Sequence, residues 1–101
     1  MASRIDLQSK LEELLGSGNV YYQAPESLKM EYPCIRYSKS KINSRFANDA
    51  TYSLSNRYEL IVISRKSDEP VIEKLLGLPY CAHDRHYKAD NLNHDTFTLY
   101  W

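Results

Sequence analysis

The spacing of hydrophobic positions changes period several times along the chain, and each change marks an element. Over SRIDLQSKLEELLG, Ile5, Leu7, Leu11, Leu14 and Leu15 fall largely on one stripe of a 3.6-residue repeat. That spacing predicts an amphipathic helix, with Ser3 as its N-cap and Gly16 as its stop. After SGN, VYYQA predicts a short strand, and PESLKMEYP, punctuated by Pro25 and Pro33, predicts a connecting loop. From Cys34 the period drops to two. Ile35, Tyr37 and Lys39 take one side of CIRYSKSKIN, while Cys34, Arg36, Ser38, Ser40 and Ile42 take the other, which predicts a strand with one wet face. In SNRYELIVISR, Tyr58, Leu60 and Val62 share one face and Ile61 and Ile63 make the other apolar as well, so this strand is expected at the centre of a sheet. The intervening NSRFANDATYSL is longer than the roughly 2 to 5 residues of a hairpin connection, and predicts a long loop over 43–54.

In KSDEPVIEKLLG, Ser67 or Asp68 is the expected N-cap, Pro70 lies in the first turn, Val71, Ile72, Leu75 and Leu76 are the apolar positions, and Gly77 is the stop. LPYCAHDRHYKA and HDTFTLYW are alternating segments joined by DNLN, a turn composition. The predicted order is αβββαββ: one α+β domain over 1–101, built on a mainly antiparallel sheet of about five strands.

Composition narrows the function. Thirteen basic and thirteen acidic side chains cancel, so no net field draws the protein to nucleic acid or an anionic membrane. With no apolar signal segment over 1–18, Cys34 and Cys81 are expected as reduced thiols in a reducing cytoplasm. No run reaches the roughly 18 to 20 apolar residues of a membrane span. Nine tyrosines suit half-buried strand faces and protein interfaces equally.

DRHYKADNLNHD, residues 84–95, has the residue types of a metal or catalytic site. On a regular strand His83 and His86 point to opposite faces, so they share a ligand only if a bulge intervenes. His86 and His94, with Asp84 or Asp95, would make a weak surface zinc cluster, but the tight paired spacing of zinc sites is missing and no metal is expected. Cys81 and His83 share a face without an indicated orienting group or oxyanion hole. Asp68 and Glu69 are explained by the helix start. Three glycines leave no phosphate-cradling loop. No enzyme activity and no cofactor are expected. A small nucleic-acid-binding domain is the reading from a different class: Arg36, Tyr37, Lys39 and Lys41, with Arg85, Tyr87 and Lys88, interleave charge and rings, although lysines also protect strand edges.

Protein association accounts for more of the chain. Arg45, Phe46, Asn48, Asp49 and Tyr52 have the composition of an aromatic anchor with a polar rim. Tyr87, Lys88, Asp90, Asn91, Asn93 and His94 form a second, unlike patch. Two unlike patches permit head-to-tail contacts that close into a ring.

EYPCIRY, RFANDATY, RYELIVISRKSD and LPYCAHDRHYKADNLNHDTF, in that order and spacing, cover most of 31–97. In these pieces the chain resembles small structural proteins of tailed phages and prophages found among head-tail connection and tail genes. The resemblance implies a virion component similar to tail terminator or tail completion proteins: an α+β subunit assembled in the host bacterial cytoplasm as a ring, expected to be a hexamer. That ring would contact the tail tube protein and the neck protein. A neck or head-completion ring is the nearest alternative. Both patches are then expected to be protein contacts.

Overall fold

The computed structural model describes residues 4–25, 29–47 and 50–101, with the backbone alone for 41–47 and 50–55. The fold is α+β, in the order α1 (Arg4–Leu15), β1 (Val20–Tyr22), β2 (Cys34–Ala47), β3 (Ala50–Ser64), α2 (Pro70–Leu76), β4 (Cys81–Ala89) and β5 (Leu92–Tyr100). The sheet runs β1-β2-β3-β5-β4, with β3 central as its two-sided apolar pattern requires. Only β1 and β2 are parallel; the remaining pairs are antiparallel.

Cross-strand registers line up Ile35 with Val62, Tyr37 with Leu60, Leu60 with Phe97, and Tyr58 with Leu99, so these side chains share one face. Leu7 and Leu11 of α1 and Val71 and Leu75 of α2 close over that face and complete the core. Gly16 ends α1 at φ +83, a left-handed conformation that costs glycine least, and its N–H donates to the Glu12 carbonyl at 2.9 Å. Ser3 lies outside the described residues.

The start of α2 differs from expectation. Glu69, rather than Ser67 or Asp68, occupies the N-cap, in extended backbone and with no side-chain cap. Proline at 70 is the reason: its ring bars the preceding residue from helical geometry and fixes the first turn. The Glu69 carboxylate instead accepts a 2.9 Å bond from the Ser64 hydroxyl.

A larger correction concerns 43–54, expected as a loop. β2 and β3 continue through it as a ladder that pairs Asn43 with Ser55, Ser44 with Leu54, Arg45 with Ser53 and Ala47 with Ala50. Polar Asn43, Ser44 and Arg45 ended the alternation that predicted the first of these strands, but backbone pairing does not depend on that alternation. β5 stops pairing at Arg57, with Trp101 and Asn56 exchanging the last bonds, and β1 stops at Tyr37. Among the described residues the segment is therefore a two-stranded arm beyond the sheet, roughly 20 Å long at about 3.3 Å per residue. The molecule measures 51 × 25 × 23 Å.

At the other end of the sheet, β4 and β5 meet in a turn where Asp90 (φ 54) and Asn91 (φ 61) are both left-handed. Two-residue hairpins require this conformation, and Asp and Asn tolerate it.

Candidate assembly interface

The two predicted patches lie at opposite ends of the sheet. Arg45, Phe46 and Tyr52 belong by their backbones to the arm strands; their side chains, and Asn48 and Asp49 entirely, lie outside the described residues. Tyr87, Lys88, Asp90, Asn91, Asn93 and His94 gather at the β4–β5 turn, but not on one surface. Tyr87 faces His94 on the side of the sheet away from the helices, while Lys88 and Asn93 face each other on the helix side. Asn93 is held by a 3.3 Å bond from its amide to the Arg65 carbonyl.

Tyr87 is enclosed within its own strand pair. Its ring stacks on His94 at 4.7 Å and 8°, and the Arg85 guanidinium sits 4.6 Å from its centroid. A ring engaged in this way is held in one orientation by its neighbours.

The histidines take an arrangement that regular strand geometry does not give. The register slips between His83 and Arg85, so Asp84 is an extra residue in β4. The bulge returns His86 to the face of His83, and both converge on Asp95. His83 Nε2 lies 2.9 Å and His86 Nδ1 2.8 Å from the same oxygen, Oδ1. His94, expected near His86, is on the opposite face with its Nδ1 against the Leu92 carbonyl. Asp84 leaves the cluster and accepts a 2.7 Å bond from the Thr98 hydroxyl. Asp95 is only 5 % exposed, so its carboxylate relies on these imidazoles in place of water. Among the described residues no group of three His, Cys, Asp or Glu is disposed to hold a metal ion. The cluster's visible work is to fix the register of an edge strand.

The arm end of the body carries signals that sequence reasoning missed. Among the described residues the exposed large apolar side chains are Ile5, Leu76, Tyr80 and Tyr100. Tyr100 pairs with Arg57 at the root of the arm, and its N–H reaches the Tyr80 carbonyl. α2 leaves the opposite end of β3 and finishes close to β4's start, which puts Leu76 at this end too. α1 begins here as well: Arg4 bonds the Tyr37 hydroxyl at 3.3 Å and lies 4.4 Å from the Tyr22 ring centroid. Two buried polar atoms without a partner among the described residues, Arg57 Nε and the Tyr58 hydroxyl, occupy the same level. Burial, then the neighbouring Tyr22 and Tyr37, raises the Tyr58 hydroxyl above its ordinary pKa. Apolar surface gathered at one end, around a projecting ribbon, is the pattern of a contact surface.

No family model, curated protein or solved structure matches this chain.

Cys34 and Cys81 are free thiols. Burial pushes Cys34 up to about 11 against the pull of Arg36, and burial with help from Asp84 pushes Cys81 up to about 11. Both therefore remain thiols, poor nucleophiles, at neutral pH. Between Gln23 and Ala24 and the sheet, a cleft lined in part by Arg36, Ser38, Glu59 and Ile61 has a volume of about 160 Å³. Small-molecule pockets begin at about 300 Å³. Among the described residues no helix is long and apolar enough to cross a membrane.

The raised Cys34 value sets a pH window. Below pH 9 the thiol is neutral in both states; between about 9 and 11 only the unfolded chain ionises, so stability falls as pH rises through that interval. Urea unfolding at pH 8 and pH 10.5 should show a larger loss for the intact protein than for Cys34→Ala. Equal losses would mean that Cys34 ionises as readily folded as unfolded.

Proposed function

We propose that this chain is a structural virion protein of a tailed phage, of the tail terminator or tail completion kind. It forms a ring at the head-proximal end of the tail and joins the tail to the neck. The observation that carries the reading is the arm. A two-stranded ribbon that pairs with no third strand among the described residues is marginal in water by itself, and gains its support when it docks on another molecule. The exposed apolar side chains at its root extend the same contact. Two unlike surfaces at opposite ends of one sheet suit head-to-tail association, which closes when the rotation allows. The work is geometric, and the order of the sequence pieces supports the station in the phage.

Phe46 is the expected anchor within the arm. Phe46→Ala should weaken assembly by about 2 kcal/mol, a roughly 30-fold rise in the dissociation constant, with the melting temperature unchanged. Sedimentation across a concentration series checks this, and an unchanged constant removes Phe46 as the anchor.

Mixing the purified protein with tail tubes that lack heads tests the function. Negative-stain images should show rings capping one end of each tube. Rings that bind portal or neck particles but no tubes would place the protein in the neck. Bare tube ends together with salt-sensitive retention of the protein on oligonucleotides would replace the reading with nucleic-acid binding.

A further inference from the structure

β4 forms one border of the sheet, and the outer main chain of its nine residues pairs with no strand among those described. We propose that this edge receives the arm of a second copy of the chain, so that the sheet of one subunit continues through the arm of the next. The inference rests on reading the chain as an assembling subunit, and names the surface that accepts the arm.

Three observations point to a second copy rather than a foreign partner. Every copy carries a ribbon and, in β4, the longer of the two border strands among the described residues, so head-to-tail pairing satisfies main-chain groups of both in every subunit. The lengths agree: the arm has five to six paired residues per strand, and β4 beyond its bulge has five, Arg85–Ala89. The edge is also held in one register. His83 and His86 pin β4 to Asp95, Arg85 and Tyr87 are stacked along it, and the Asp90–Asn91 turn closes it. An edge fixed in register presents its donors and acceptors at defined positions, which an incoming strand needs. The bulge at Asp84 limits the accepting run to one stretch, and bulges are a known device against indiscriminate edge pairing.

The geometry of the turn identifies the groups involved. In a two-residue hairpin Ala89 and Leu92 are the hydrogen-bonded pair, so the N–H groups of Tyr87 and Ala89 point into β5 and those of His86 and Lys88 point outward. Lys88→Pro therefore removes an outward donor and leaves the internal ladder intact.

The test compares three full-length or near-full-length proteins by sedimentation velocity: the intact chain, Lys88→Pro, and a chain in which Asn-Gly replaces residues 44–54, which keeps Asn43 opposite Ser55. The intact chain should form concentration-dependent oligomers. Each variant alone should be a monomer, and an equimolar mixture should give a 1:1 dimer, the surviving arm of one seated on the free edge of the other. Oligomers from Lys88→Pro alone, or from the arm-shortened chain alone, would overturn the proposal; so would a mixture that stays monomeric, or an intact chain that never associates. The last result would leave tube capping by the arm to its own test. If Lys88→Pro does not fold, amide exchange on the intact chain decides: His86 and Lys88 should exchange about tenfold or more slowly in the oligomer, and unchanged rates would overturn the proposal.

Discussion

Phe97→Ala should lower the unfolding free energy by about 3 to 5 kcal/mol, the usual cost of emptying a fully buried phenylalanine site. Phe97 has no exposed surface, faces Leu60 of the central strand, and meets the edge of the His83 ring at 5.1 Å between centroids. The site is poorly able to collapse, because strands on both sides hold its walls apart. A domain of this size has about 5 to 15 kcal/mol of stability in all, so the variant should be marginal. Urea denaturation measures the change directly. A loss below about 1.5 kcal/mol would mean that neighbouring side chains refill the space, and that the packing around β5 is looser than described.

Asp95→Ala should cost about 2 to 3 kcal/mol, the scale of losing hydrogen bonds to a charged group in a desolvated site. His83 and His86 are each about a third exposed or more, with side-chain exposures of 33 % and 40 %, so they recover water and the loss stays below that of two fully buried bonds. Asp95→Asn keeps an acceptor at the same place and should lose less. Because the carboxylate holds both sides of the bulge, the alanine variant should also shift backbone amide resonances from His83 to Tyr87 and leave β1 and β2 unaffected. If the two variants are equally stable and β4 is unshifted, the bulge has another cause.

Much of the fold was legible in the sequence, for particular reasons. β3 was readable because Tyr58, Leu60 and Val62 alternate with Ile61 and Ile63, a pattern that only a central strand buries on both sides. α1 was readable from its leucine stripe and from Gly16, and the β4–β5 turn from Asp90 and Asn91. The arm was not readable as strand, because Asn43, Ser44 and Arg45 break the alternation after Ile42, and Asn48 and Asp49 give the middle of the segment a loop composition. Even so, the unusual length of the segment marked it as a place where the chain does something other than connect. The Asp95 cluster was hidden for a different reason: one inserted residue at Asp84 reverses the facing of everything after it, and no composition signal announces a bulge. The apolar surface at the arm's root was hidden because Ile5, Leu76, Tyr80 and Tyr100 are far apart in sequence, and only the antiparallel run of the two helices brings them to one end.

The claim on which the functional reading depends is that the arm is the surface by which this chain meets another protein. Hydrogen exchange of the amides in 43–47 and 50–55, compared between the free protein and the same protein assembled or bound to tail tubes, tests it most directly. The account predicts rapid exchange in the free chain and slowing by about 100-fold in the bound state, with the core strands unchanged. Equal exchange of the arm in both states, with new protection appearing elsewhere on the body, would contradict it.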